Sequence, residues 1–334
     1  LSSETARMNS TFVRPLGFYI GGFQSLPYSQ YYFLFLSIIY LATLFCNFFL
    51  MVIIMYVEKS LHTPKYIAIF LLSIVDICYS TTIIPKSAGA FLFDSKFILY
   101  ETCLTQMFFV VYFSEMESMS ITILAYDRLI SICFPLQSVT INTNTRMIRI
   151  ILISACIPLV VDVVLVYLIT RLSFCRSTVI NSYFCDHGPV FNLACNDFTP
   201  NWRVAYFGIV TFFCVPPALI IVSYICILSA LLKIKSKDGR RKAFKTCTTH
   251  LALVAIFYIP LISIYLTSWI KLSVDTNTRI FSTSLAATVP PLLNPIIYTL
   301  KTEEIMLEIK KIFKRKTADS LPKISNIVTI YSTF

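Results

Sequence analysis

Four acidic side chains stand inside long apolar stretches of this sequence: Asp76, Glu115, Glu117 and Asp162. An ionised carboxylate is costly in the hydrocarbon core of a membrane, so an acid at that depth usually has a functional role. Two interpretations of Asp76 and Glu117 stay open. In the first, each acid is protonated or is hydrogen-bonded to a nearby Ser, Thr or Asn. In the second, the two acids share a cation or a proton in the protein interior. We favour the shared cation or proton.

Glu115 does not face the same cavity as Glu117. Residues two apart point about 200° apart around an α-helix. Glu115 lies nearer to the predicted outer end of its helix. Two roles are open for Glu115 there. Its side chain contacts a ligand, or it faces the fourth or fifth helix and its carboxyl group stays neutral. The sequence assigns no role to Asp162.

An acid and an arginine, Asp127 and Arg128, follow the apolar run 102–126. A charge pair is costly in lipid. The order of residues therefore predicts that this pair lies at a membrane edge.

The acids and the Asp127–Arg128 pair can take these positions only if the apolar stretches form helices that cross a membrane. Of the 334 residues, 57% are hydrophobic and 13% are charged, whereas a soluble domain has about 25% charged residues. A spanning helix needs about 20 mostly apolar residues. The sequence therefore predicts an all-α membrane protein, a seven-transmembrane helix bundle. Its spans one to seven are 31–57, 66–93, 102–126, 150–170, 204–232, 246–270 and 280–300.

Lysines and arginines set the predicted orientation. Most of the 28 lie in the loops after spans one, three and five and in the C-terminal tail, and basic loops face the cytoplasm. We expect a multi-pass plasma-membrane protein with an extracellular tail (1–30), a spanning domain (31–301) and a cytoplasmic tail (302–334).

The net charge of +11 is spread between apolar runs, so nucleic acid is not an expected partner. Asn9 begins an outer N-x-Ser/Thr sequence and is a candidate glycosylation site.

The C-terminal tail begins with a helical pattern. Apolar residues form one stripe opposite a face of Glu and Lys: Ile305, Met306, Ile309, Ile312 and Phe313. This pattern favours a short amphipathic helix, 302–313, on the inner lipid surface over a frayed tail.

Four cysteines fall on the predicted outer side: Cys103, Cys175, Cys185 and Cys195. Four cysteines allow three pairings, and disulfides persist outside the cell. A bond from Cys103 to the long loop 171–203 would fold that loop over the bundle as a lid. The sequence has no motif of a serine hydrolase, a zinc protease or a phosphate-binding loop, so we expect no enzyme.

Several motifs resemble the olfactory receptors, a family of rhodopsin-like G-protein-coupled receptors. They are LHTPKY (61–66), AYDRLISIC (125–133), YFCD (183–186), KAFKTCTTHL (242–251) and PLLNPIIY (291–298). The stretches QMFF (106–109), MES (116–118) and FYIP (257–260) resemble the class I, fish-like branch, which is associated with water-soluble odorants. Departures from the family pattern, such as Cys46 and Lys65, suggest a divergent member.

The resemblance implies disulfides Cys103–Cys185 and Cys175–Cys195. It implies that Asp127 holds Arg128 at rest and that Arg128 turns toward the transducer on activation. The remaining switch residues would be Tyr224, Asn294, Pro295 and Tyr298. Asp76 and Glu117, with Asn294, would form either a sodium site or a polar network; apart from a sodium ion there, we expect no cofactor.

The resemblance also implies the ligand and the partner. Small odorants would bind in the extracellular half of the bundle, and a stimulatory olfactory-type heterotrimeric G protein would raise cyclic AMP in sensory neuron cilia. The ligand-binding residues would be Val110, Val111, Ser114, Glu115, His187, Gly208, Tyr258, Leu261, Tyr265 and Ser284.

Two alternatives belong beside this interpretation. One is a non-olfactory rhodopsin-like receptor; amine receptors of that kind carry Asp where this chain has Val110. The other is a secondary transporter, which usually has internal repeats and helices broken by Gly or Pro. This sequence has prolines in its spans but no repeat and few glycines.

Overall fold

The structure, a computed structural model, describes residues 12–23, 28–57, 63–233, 236–269, 275–301, 305–307 and 309–311. Asn9 lies outside these residues, so its glycosylation stays a prediction.

Long helices form along all seven apolar runs. In chain order they are Ser29–Val52 with the π-helical turn Ile53–Val57, Pro64–Leu92, Tyr100–Cys133, Asn144–Thr170, Thr199–Ile209 with the π-helical turn Val210–Cys214 and then Val215–Lys233, Lys237–Trp269, and Thr276–Lys301. Two short helices, Ser138–Ile141 and His187–Phe191, lie in the loops after spans three and four.

Six of the helices in the described part of the chain are long and apolar enough to cross a membrane. Span six differs, because its apolar stretch is the shorter His250–Ser263. Its helix begins at Lys237, nine residues before the predicted start. The basic residues of the preceding loop therefore continue the same helix beyond its apolar stretch.

Span three lies at the centre of the bundle. It packs against spans two, four, five and six, and span one packs against spans two and seven. Large apolar side chains remain exposed on the outer faces of spans one, four and five: Leu41, Phe45, Phe48, Val160, Ile221 and Val222. Apolar surface of this extent is rare on soluble monomers and suits contact with lipid.

A small sheet lies beside the helices, which the all-α prediction did not include. Strand β1 (Gly17–Ile20) pairs antiparallel with β2 (Phe97–Leu99) and parallel with β3 (Val179–Ile180). The three strands come from the N-terminal segment and the loops after spans two and four. The sheet therefore ties these segments together on one side of the bundle.

The C-terminal tail is helical at residues 305–307 and 309–311. Ile305 is fully buried in a cluster with Leu253 and Tyr298, whereas Leu307 is exposed. The helical backbone of these residues, and the contrast between buried Ile305 and exposed Leu307, agree with the predicted amphipathic helix. The division of the chain at residues 30 and 301 stays a prediction.

Candidate functional site

Two disulfides hold the long loop after span four. Cys103, near the start of span three, is bonded to Cys185, and Cys175 is bonded to Cys195. These are the pairs that the resemblance implies. The first bond attaches the loop directly to the central helix.

Hydrogen bonds fix the same loop over the bundle. The fully buried Tyr183 accepts a bond at its carbonyl from the Ser87 hydroxyl at 2.8 Å. Gln106 of span three accepts from the Cys185 N–H at 3.1 Å and donates to the Thr82 carbonyl at 2.9 Å. The loop thus covers one end of the bundle, as the predicted lid would.

His187, a predicted ligand-binding residue, is buried in this loop, and its ring packs on Phe191 at 5.0 Å. Burial lowers its pKa to about 3, so the ring is neutral at physiological pH. Its Nε2 atom has no hydrogen-bond partner in the part of the chain that the structure describes. Burial also raises the pKa of the neighbouring Asp186, against the opposing effect of Arg279, whose Nη1 lies 3.9 Å from the carboxyl group.

The predicted ligand-binding residues fall into separate groups. Val110 packs beneath the loop in a cluster that includes Tyr183 and Ile280. Ser284 of span seven is fully buried, and its hydroxyl lies 2.6 Å from that of Tyr32. This group faces spans one, two and seven.

A second group faces spans four, five and six. Glu115 is buried opposite Gly208, and its Oε1 atom would lie 3.5 Å from a Cβ at that position. One turn further along span three, Ser118 donates to the Phe212 carbonyl at 2.5 Å. Glu115 thus faces span five, as one of its two open interpretations held.

The Ser118 hydroxyl also lies 2.6 Å from that of Tyr258, another predicted ligand-binding residue. Leu261 packs against the cluster that contains Tyr258. Val111 and Ser114 are half-buried. The side chain of Tyr265 lies outside the described residues.

An apolar hollow of about 350 Å³ lies between spans six and seven. None of the predicted ligand-binding residues lines it. Its lining has no side-chain hydrogen-bonding group to orient a ligand; the residues are Ala255, Ile256, Ile259, Pro260, Leu285 and Val289.

The acids of spans two and three meet Asn294 of span seven. Asp76 is fully buried and accepts from the Asn294 amide at 3.0 and 3.1 Å. Glu117 is also fully buried and close enough to Asp76 for their carboxyl groups to repel each other. Neither Glu117 oxygen makes a hydrogen bond of ordinary geometry among the described residues, but the Asn294 amide lies close enough to favour the ionised form of Glu117. Oxygen donors of this kind suit a hard cation, although the described residues contain no group of three or more acidic, His or Cys ligands.

At the other end of span three, Asp127 accepts from the Asn142 amide at 2.8 Å. The direct ion pair between Asp127 and Arg128 that the resemblance implies is not present within the described ranges, but the Arg128 charge lies close enough to favour the ionised form of Asp127. Adjacent helical residues point about 100° apart, and Asn142 occupies an Asp127 oxygen instead. Arg128 is close enough to Tyr224 and Tyr298 to act on both electrostatically.

Tyr224 and Tyr298 are buried near this end. The Tyr224 hydroxyl lies 2.9 Å from Nδ1 of His250 in span six. Asn294 and Pro295 lie inside the helix of span seven. The predicted switch residues therefore come from spans three, five and seven and meet span six through His250.

Asn142, His250, Asp162 and Ser118 are site residues to which sequence reasoning gave no role. His250 and Ser118 stand inside the quoted motifs, which is a signal that could have found them. Asn142 and Asp162 had no such signal.

The family follows from comparison with known proteins. A model of the family described as "Olfactory receptor" matches residues 36–316. This chain belongs to the olfactory receptor family of G-protein-coupled receptors. Among curated relatives, human olfactory receptor 51F2 is 33% identical over 94% of this chain and 92% of its own length. Human olfactory receptor 8U8 is 37% identical over 84% and 86%, and rat olfactory receptor 51E2 is 35% identical over 82% and 86%.

The fold of this olfactory receptor also matches a solved structure. The crystal structure of squid rhodopsin superposes with a TM-score of 0.70 and covers 92% of this chain and 93% of that one. At 15% identity, this similarity establishes the rhodopsin-like bundle alone. Its membership of the olfactory receptor family makes the protein a multi-pass membrane receptor and not an enzyme.

Proposed function

We propose that this olfactory receptor binds small, water-soluble odorants in the extracellular half of its bundle and activates a stimulatory olfactory-type G protein, raising cyclic AMP. Its place would be the plasma membrane of sensory neuron cilia, with the N-terminus outside. The stretches at 106–109, 116–118 and 257–260 support membership of the class I, fish-like branch.

The observation that carries the proposal is the polar contact made by Ser118. Its hydroxyl bonds to the Phe212 carbonyl of span five and to the Tyr258 hydroxyl of span six. Glu115 and Gly208, both predicted pocket residues, lie one turn away on spans three and five. A ligand bound at the level of Glu115 and Gly208 would push on spans three and five. The hydrogen bonds of Ser118 join these two spans to each other and to span six, one helical turn away.

The physical mechanism is a shift in population. An odorant that binds the active bundle better than the resting bundle moves the equilibrium by its differential affinity alone. Small odorants make few contacts, so the resting state should lie only a few kcal/mol below the active one. The polar residues of the interior would then set the free-energy difference between the resting and active states.

The proposal extends to the acids below the pocket. Asp76 and Glu117 would hold a sodium ion, with the Asn294 amide bound to Asp76. Glu117 offers two buried oxygens that make no hydrogen bond of ordinary geometry in the described part of the chain. Such an ion would stabilise whichever state binds it more tightly.

The test is to express the full chain with an olfactory G protein and record cyclic AMP against a panel of water-soluble odorants. We expect concentration-dependent responses to some of them. Arg128→Ala should reduce the maximal response by about tenfold or more at equal surface expression, because Arg128 supplies the charge at the coupling end. Arg149→Ala, at an exposed arginine near the same membrane face, should leave the response unchanged. A full response from Arg128→Ala would contradict the proposal.

A further inference from the structure

The apolar hollow between spans six and seven opens toward lipid. Ile259, which lines it from span six, is 65% exposed. Two further exposed side chains each lie about one turn from a lining residue: Ile262 from Ile259, and Phe281 from Leu285. Exposed apolar side chains on a spanning helix suit contact with lipid. The hollow is therefore continuous with the lipid-facing surface of the bundle.

The hollow also lies deep in the membrane. Its span-six residues fall within the apolar stretch His250–Ser263. Val289, on its span-seven side, is nine residues from one end of the predicted span 280–300 and eleven from the other. At 1.5 Å per residue, either end is roughly 14–16 Å away, about half the 30 Å thickness of the hydrocarbon core. A molecule in the hollow therefore lies among acyl chains, away from headgroups and water.

The wall of the hollow suits a ligand without hydrogen-bonding groups, because it presents almost no polar surface. Pro260 has no N–H to offer, and the other lining side chains are aliphatic. A hydroxyl group buried against such a wall would lose its partners, which costs free energy. A hydrocarbon has no such group to lose.

The volume of about 350 Å³ sets the size of the ligand. An apolar cavity of about 150 Å³ stays dry and takes up benzene, so this hollow has room for a hydrocarbon roughly twice as large. An acyl chain of the bilayer is a competing occupant. It gives up conformational freedom when it bends into a hollow at this depth, whereas a small rigid molecule gives up less.

We propose that this hollow binds a small, rigid hydrocarbon dissolved in the membrane, such as an alkylbenzene. The site is separate from the odorant pocket of the proposed function, because none of the predicted ligand-binding residues lines it. Its ligand arrives through lipid and not from water. The inference therefore goes beyond the proposed function and does not depend on it.

Occupancy of the hollow bears on span six. Ile259 and Pro260 directly follow Tyr258, whose hydroxyl lies 2.6 Å from that of Ser118 in span three. Tyr258 is buried and Ile259 is exposed, so the hollow and the Ser118 contact lie on different sides of the same turn. A bound hydrocarbon favours the arrangement of spans six and seven that contains the hollow over any arrangement that closes it.

The test uses the full chain in lipid nanodiscs and a diazirine derivative of p-cymene, which labels the residues that it touches on illumination. We expect peptide mapping to find the label concentrated at the lining residues of spans six and seven. Unlabelled p-cymene should compete about tenfold or more effectively than thymol at equal concentration in the lipid. Thymol is p-cymene with a hydroxyl group, and burying that group without a partner is costly.

Two substitutions fill the hollow from opposite helices. Ala255→Phe and Val289→Phe should each reduce labelling of the lining residues by about tenfold or more, because the added atoms take the space of the ligand. Ala252→Phe is the matched control. It adds the same ring at an exposed position three residues earlier in span six and should leave labelling unchanged. Thermal unfolding in nanodiscs checks that each variant is folded, and two filling variants guard against one failing to fold.

Three outcomes would overturn the proposal. Label spread evenly over lipid-facing residues, such as Ile221 and Val222 of span five, would mean ordinary lipid contact. Competition by thymol as strong as that by p-cymene would assign the hollow to a hydroxylated ligand. Labelling that survives both filling substitutions would place the ligand elsewhere. No odorant or G protein enters the experiment, so each of these outcomes leaves the proposed odorant function to its own test.

Discussion

His187 illustrates how burial alone changes the chemistry of one residue. Burial lowers its pKa to about 3, while an unfolded histidine titrates near pH 6.5, its ordinary pKa. Below about pH 6.5 the unfolded state therefore binds a proton that the folded state does not. The stability that His187 contributes is complete above that pH and is lost as the pH falls toward 3.

His187→Gln should flatten the acid side of the stability profile. In wild type, each pH unit below about 6.5 should cost up to about 1.4 kcal/mol through this residue. Asp186 has the opposite sign, because burial raises its pKa and protonation then favours the folded state. Since Asp186 is present in both proteins, the difference between their melting temperatures from pH 7.5 to pH 4.5 isolates His187. If the melting temperatures of wild type and His187→Gln fall in parallel with pH, then protonation of His187 does not destabilise the folded state and the prediction is wrong.

Elements of this receptor differ in how far the sequence determines them. Each span is encoded locally, by some 20 apolar residues, so all seven helices could be predicted. The strands could not: Gly17 and Leu99 are paired in the sheet but lie far apart in the chain, and strands of two to four residues leave little local pattern.

The candidate site divides in the same way. Motifs placed Asp127, Asn294 and Cys185, because these residues stand at fixed offsets in recognisable stretches. The electrostatic interaction of Glu115 with Asp162 depends on how two helices are rotated against each other. An apolar run does not specify that rotation, so Asp162 had no predicted role.

Gly17 shows what the sheet requires of one position. A Cβ at this residue would collide with the Ile98 carbonyl and the Phe97 ring. Because Ile98 is backbone-paired in β2, it cannot move aside without breaking the strand pairing. The glycine therefore lets β1 and β2 approach closely.

Gly17→Ala should separate the N-terminal strand from β2. We expect faster hydrogen exchange at residues 17–20 and 97–99, by about tenfold or more, since one lost pairing contact costs on the order of 1 kcal/mol or more. Gly188→Ala is the matched control, because nothing lies within 4 Å of a Cβ there. Unchanged exchange in Gly17→Ala would mean that the strands tolerate the wider spacing.

At the scale of the whole molecule, the loop end and the coupling end are linked through span three. It carries Cys103 under the loop, Glu115 and Ser118 at mid-depth, and Asp127 and Arg128 at the far end. The equilibrium between resting and active bundles should therefore respond to single contacts at either end.

Asn142→Ala tests that equilibrium at the coupling end. Asn142 donates to an Asp127 oxygen at 2.8 Å and so competes with Arg128 for the same carboxylate. Without the amide, Asp127 is free to pair with Arg128 and hold it at rest. We expect lower basal cyclic AMP and a half-maximal odorant concentration raised about tenfold or more, because hydrogen bonds to charged groups contribute about 1.5 kcal/mol or more. Gln137→Ala removes an exposed amide from the same loop and should change neither quantity at equal surface expression. A rise in basal signalling from Asn142→Ala would instead assign the Asn142–Asp127 bond to the resting state.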